Sequence, residues 1–253
     1  MFTPLHRGGS GEPLLLIHGF TDTWRTWELV LPALERTHDV LAPTLPGHAG
    51  GPTFEEDLVG ALERVLDAAG WQTAHVAGNS LGGYLALKLA ERGRARSVVA
   101  LSPAGGWEDG DPARDDTLQY FLTMHDLVQH AAPRADRIAA SVDGRRRSTR
   151  DITVRFEHIP PRLVEHMIRG AAACTAVEPL VAQARRHGWN VDPERIACPV
   201  RFVWGAEDAL LRWPSAASRY RSWFPHAEWV VLDGVGHSPQ LDVPLETAEL
   251  VGR

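Results

Sequence analysis

Among the 253 residues, three side chains of the types used in nucleophilic catalysis stand in suggestive places: Ser80, Asp208 and His237. Ser80 lies in Gly78-Asn79-Ser80-Leu81-Gly82, a G-x-S-x-G pattern. The pattern joins an apolar run, "TAHVAG", to a helix-like stretch, "LGGYLALKLAER". A sharp turn there would lift the serine above the end of a strand, with the glycines leaving space for a backbone that side chains would obstruct. Asn79 reads as a turn residue. A serine hydroxyl is a poor nucleophile at neutral pH and needs a positioned base. Of the 12 histidines, His237 in "LDGVGHSPQLDVP" follows the last expected strand. The base in turn needs a carboxylate to hold its tautomer, and Asp208 in "FVWGAEDAL" directly follows another strand. Asp233, Asp109 and Asp111 are rivals for that role, and Glu207 is expected to point elsewhere. An oxyanion needs donors as well. The Leu81 N–H opens a helix, where the dipole favours negative charge, and the Phe20 N–H follows "LLLIHG"; His18 is expected to shape that loop.

The elements that would place these groups alternate along the chain. Strands are expected at 13–19, 39–44, 73–78, 97–103, 198–205 and 227–233, and helices at 23–36, from Thr53 to Gly70, at 81–92 and at 213–224. Asp22 or Thr23 would cap the first helix, and Thr53 with Glu56 would form a capping box on the second. The first dozen residues suggest a strand or hairpin around Gly8-Gly9-Ser10-Gly11. Continuous apolar runs such as "PLLLIHG" fit strands covered on both faces. The fold class is therefore α/β: a mostly parallel central sheet flanked by helices. From 105 to 190 only helical patterns appear, which divides the chain into a core, 1–104 with 191–253, and a helical cap insertion, 105–190.

Composition narrows the partners. The net charge is −6, and the only basic cluster, Arg145-Arg146-Arg147 with Arg150, is short, so nucleic acid is not expected. No apolar stretch is long enough to span a membrane, and a cytoplasmic protein is expected. Cys174 and Cys198 fit neither a disulfide framework nor a metal site, and no metal or other cofactor is expected.

On "HGF" (18–20), "LPGH" (45–48), "GNSLGG" (78–83), "WGAED" (204–208) and "GHSPQLDVP" (236–244), in this order, the chain resembles the α/β-hydrolase superfamily. Thr44 departs from the Asp often found before the "LPGH" turn. The resemblance implies a Ser80–His237–Asp208 triad, an acyl-enzyme pathway and a cap that shapes the pocket. It implies a small-molecule acyl substrate, apolar to moderately polar, with a carboxylic ester as the leading expectation. Carbon–carbon bond hydrolysis of ring-fission products, lactone hydrolysis and cofactor-free haloperoxidase or perhydrolase chemistry are alternatives, as is a non-catalytic ligand-binding member. Relatives that open epoxides or remove halide use an Asp nucleophile, where this chain has Ser80. Trp24, Trp107, Tyr120, Phe121, Met124, Phe156 and Met167 are candidates to line the pocket.

Overall fold

The structure, a computed structural model, describes residues 1–252. Its strands are β1 (Leu5–Gly9), β2 (Glu12–Ile17), β3 (His38–Pro43), β4 (Ala74–Asn79), β5 (Ala95–Leu101), β6 (Val200–Gly205) and β7 (Glu228–Leu232). They form one sheet in the order β1-β3-β2-β4-β5-β6-β7. Every pairing is parallel except β1 with β3. The core helices are α1 (Leu31–Leu34), α2 (Leu58–Ala68) and α3 (Leu81–Glu91). Between β5 and β6 come α4 (Pro112–Ala131), α5 (Ala135–Ala140), α6 (Val142–Thr149), α7 (Pro161–Ala172) and α8 (Val177–His187). The chain closes with α9 (Ser218–Trp223), α10 (Pro239–Asp242) and α11 (Pro244–Val251).

The continuous apolar strands follow from burial on both sheet faces. Leu15 and Ile17 of β2 pack with Val76 and with Leu62, Leu66, Leu85 and Leu89 from α2 and α3. Leu14 and Leu16, pointing the other way, join Ala77, Leu101, Leu31, Leu34, Ala248 and Val251 from α1 and α11. Alternate residues of one strand thus feed two separate cores. α3 is central enough that Leu81, Gly82, Gly83, Leu85, Ala86, Leu87, Leu89 and Ala90 are all buried.

Local details differ from the sequence expectation in four places. The helix expected over 23–36 is a 3₁₀ turn, Trp24–Trp27, followed by the short α1. Pro32 has no N–H to donate to Glu28, so a continuous α-helix cannot run through it. Thr23 does cap the 3₁₀ turn, accepting from the Arg25 N–H. The Thr53–Glu56 box does not form: α2 starts later, with Asp57 accepting from the Gly60 N–H. The N-terminal residues form β1, but its partner is β3 and not the adjoining β2, so there is no hairpin.

The inserted helices carry a small core of their own. Ala135, Ala139, Phe156, Ile159, Leu163, Val164 and Ile168 cluster there and meet Leu241. The helix expected over 213–224 is divided into a 3₁₀ turn, Ser215–Ala217, and α9.

Candidate active site

Ser80 is the single residue between the end of β4 and the start of α3. Its backbone has φ 56° and ψ −117°, a conformation that a non-glycine residue rarely adopts. Such strain costs about 1–3 kcal/mol and persists only where the surroundings enforce it. Here the Ser80 N–H donates to Leu101 O at 2.9 Å, and its carbonyl accepts from the Tyr84 and Ala104 N–H groups at 3.1 and 3.0 Å. The flanking glycines are sterically required. A Cβ on Gly78 would lie 2.1 Å from Gly82 O, and one on Gly82 would lie 2.1 Å from Ile17 O. The turn is possible only because β2, β4 and α3 approach backbone to backbone.

His237 and Asp208 reach the same end of the sheet from the loops after β7 and β6. Both are buried, and His237 Nδ1 lies 2.8 Å from Asp208 Oδ2. The other carboxylate oxygen, Oδ1, accepts from the N–H groups of Leu210 and Leu211 at 2.9 and 2.7 Å. With the acceptor-only carboxylate at Nδ1, the proton of neutral His237 belongs on Nδ1, leaving the Nε2 lone pair free to act as a base. The other acidic residues have different partners or positions. Glu207 accepts from the Val235 N–H, Asp109 pairs with Arg219, and Asp233 is exposed.

Three polar residues that sequence reasoning missed support this loop. Asn79 is more than a turn residue. Its buried amide donates to Leu101 O at 3.2 Å and His237 O at 3.0 Å, and accepts from Gln240 Nε2 at 3.0 Å. Gln240 also reaches Thr26 Oγ1 at 3.1 Å. Asp242, 3% exposed, accepts from Gly236 N–H at 2.6 Å and, across the boundary with the insertion, from the Val154 and Arg155 N–H groups at 2.9 and 2.7 Å. Ser238 N–H donates to Ile152 O at 2.8 Å. The segment around His237 is thereby tied to β4 on one side and to the insertion on the other. The signal available in the sequence was the presence of polar residues, Asn79, Gln240 and Asp242, inside apolar surroundings.

Among the described residues, the N–H groups of Phe20 and Leu81 have no protein acceptor. The Leu81 N–H also stands at the positive end of the α3 dipole. The Phe20 loop is held by His18, which is fully buried. Its Nδ1–H donates to Gly19 O at 2.7 Å, and its Nε2 accepts from the Leu45 N–H at 2.9 Å. Burial, aided by nearby His48, keeps His18 neutral by pushing its pKa well below the ordinary imidazole value. This shaping role is the one the sequence suggested.

Ser80 and His237 line a cavity of about 450 Å³ with Phe20 and residues of the insertion. Tyr120, Phe121, Met124 and Met167 line it as well. Phe121 and Trp107 line a second cavity, of about 240 Å³, which also reaches Ser80. Trp24 and Phe156 line neither cavity. Trp24 faces the N-terminal strand, stacked on His6 and donating from Nε1 to Thr3 Oγ1. Phe156 is spent on the core of the insertion. One acidic group had not been singled out for the cavity: Asp22, whose Oδ1 accepts from the Thr23 N–H at 2.8 Å. Burial pushes its pKa up from 3.8 to about 6.

A family model for the alpha/beta hydrolase fold matches residues 12–244. The chain belongs to this family. Epoxide hydrolase EphH of Mycobacterium tuberculosis is 33% identical over 196 residues, spanning 77% of this chain and 91% of the relative. Lipase 1 of Psychrobacter immobilis is 24% identical over 95% of this chain and 75% of its own length. A 2-hydroxymuconate semialdehyde hydrolase of Pseudomonas is 37% identical, over 41% of this chain and 40% of its own. Among solved structures, a bacterial membrane phospholipase A superposes with a TM-score of 0.75 at 22% identity, covering 97% of this chain and 79% of that one. These similarities make the α/β-hydrolase an enzyme of the hydrolase class.

Proposed function

We propose that this α/β-hydrolase cleaves carboxylic esters through an acyl-enzyme formed on Ser80. The observation that carries the reading is that a strained serine and the Asp208-bound His237 line one cavity. His237 Nε2 takes the Ser80 proton as Oγ attacks the acyl carbonyl, and then gives it to the leaving alcohol. Asp208 keeps the proton on Nδ1 and stabilises the imidazolium formed at each transfer. The N–H groups of Phe20 and Leu81 receive the oxyanion. Water, deprotonated by His237, then attacks the acyl-enzyme and releases the acid. The helical insertion acts as a cap over this chemistry.

Serine at position 80 bears on the epoxide hydrolase relative. Opening an epoxide with a serine would leave an alkyl ether, which has no carbonyl for water to attack. A carboxylate nucleophile would leave an ester, which can be hydrolysed. The Ser80 site is therefore suited to acyl carbonyls. The assay is hydrolysis of p-nitrophenyl acetate and butyrate by the parent and by Ser80→Ala. Loss of turnover in the variant supports the reading; equal turnover removes Ser80 from the mechanism.

A second reading draws on Arg147, which lines the larger cavity and offers a cation to a substrate carboxylate. In this reading the same groups would cleave a carbon–carbon bond in a dienoate ring-fission product. Faster turnover of a dienoate than of simple esters would favour it; a strong ester preference would count against it.

A further inference from the structure

Two cavities converge on Ser80, and their walls are chemically and sterically distinct. Phe20, Ser80 and Phe121 line both. The rings of Phe20 and Phe121 lie 4.7 Å apart between centroids, so an aromatic pair joins the oxyanion loop to α4 beside the nucleophile. The larger cavity runs beneath the inserted helices and is walled by residues such as Met124, Ile138, Val164 and Ile168. The smaller lies between α3, α4 and α8, walled by Leu85, Leu118, Leu180 and Trp189. His237 belongs to the larger one and is absent from the wall of the smaller.

We propose that the Phe20–Phe121 pair partitions the site, so that the substrate is an ester with two apolar arms: the alcohol arm in the larger cavity and the acyl arm in the smaller. This assignment rests on the ester reading above. Its direction follows from proton transfer. The leaving oxygen must be within reach of the general acid, so the alcohol departs on the His237 side. The acyl carbon remains attached to Ser80 while its chain points away from His237, into the other cavity. Both chambers have mainly apolar walls, so chain length and bulk, more than charge, set the fit.

The assignment is tested with two ester series measured on the intact protein. One varies the acyl chain from acetate to decanoate with a fixed alcohol. The other varies the alcohol from methyl to octyl with a fixed acyl group. Leu180 and Met124 are half-buried and serve to alter one chamber each. Leu180→Trp is expected to depress kcat/KM for long acyl chains about tenfold relative to acetate, a change typical of excluding a methylene or two. It should leave the shape of the alcohol profile alone. Met124→Trp should do the reverse. Leu180→Ala and Met124→Ala, which remove bulk, are expected to extend the acyl and alcohol optima respectively and keep the test open should a tryptophan variant not fold. Profiles that shift together, or in the opposite assignment, would overturn the partition while leaving the ester reading intact. Ester turnover no faster than in Ser80→Ala would overturn both.

Discussion

Asp22 places a carboxyl in the cavity lined by Ser80 and His237 at a cost to the fold, and the cost can be measured. Burial raises its pKa from 3.8 to about 6. A raised acid pKa means that the folded state disfavours the charged form. The associated stability is fully present below the unfolded value of 3.8, declines as pH rises through the interval, and is lost above about 6. At about 1.36 kcal/mol per pKa unit, the penalty above pH 6 approaches ~3 kcal/mol, an upper bound because solvent entering the cavity lowers it. Asp22→Asn keeps an acceptor for the Thr23 N–H and removes the charge. The variant is expected to exceed the parent in stability by up to ~3 kcal/mol at pH 7.5 and to match it near pH 3.5, with most of the divergence between pH 4 and 6. The assay is urea unfolding at a series of pH values, using the shift in midpoint at unchanged slope. At neutral pH, thermal melting should show a rise of roughly 6–12 °C at the full penalty. An Asp22→Asn protein less stable than the parent at pH 7.5, or a stability difference independent of pH, would refute the reasoning.

The buried polar network predicts further losses. Asn79→Ala would remove the donor to His237 O and Leu101 O and take one of the two acceptors from Gln240 Nε2, leaving it Thr26 Oγ1, at ~2–4 kcal/mol of stability and with a lower kcat, measured by urea unfolding and ester hydrolysis. Asp242→Asn would leave an acceptor-poor amide facing the Gly236, Val154 and Arg155 N–H groups. Stability should fall by about 2–4 kcal/mol, and kcat should fall more than KM changes, because the segment bearing His237 loosens. Gly82→Ala would drive a Cβ to 2.1 Å from Ile17 O, and the expected result is a loss of about 3 kcal/mol or more, read by thermal melting.

What the sequence revealed followed from rules with strong local signals. Leu14 to Ile17 read as a doubly covered strand because a continuous apolar run has few other uses, and this chain buries it on both faces. The position of Ser80 was legible because its glycines flank a strand-to-helix junction, and the positions of Asp208 and His237 because each follows a strand. The less legible features depend on contacts far apart in sequence. Asn79 meets His237 and Gln240 across more than 150 positions, so polar residues in apolar surroundings hint at burial but do not name their partners. The same holds for Trp24 and Phe156: their aromatic character was plain, but the strand and the small core that claim them are set by tertiary packing. The misplaced start of α2 has a local cause, since Asp57 competes as a cap with Thr53 and takes the Gly60 N–H.

The most direct measurement of the central claim is covalent labelling of the folded protein with a fluorophosphonate, followed by peptide mass mapping. An activated Ser80 should attack phosphorus, expel fluoride and carry the phosphonyl group on the peptide containing "GNSLGG", while Ser80→Ala and His237→Ala remain unlabelled. Folded parent protein that takes no label, or takes it on another residue, would contradict the account.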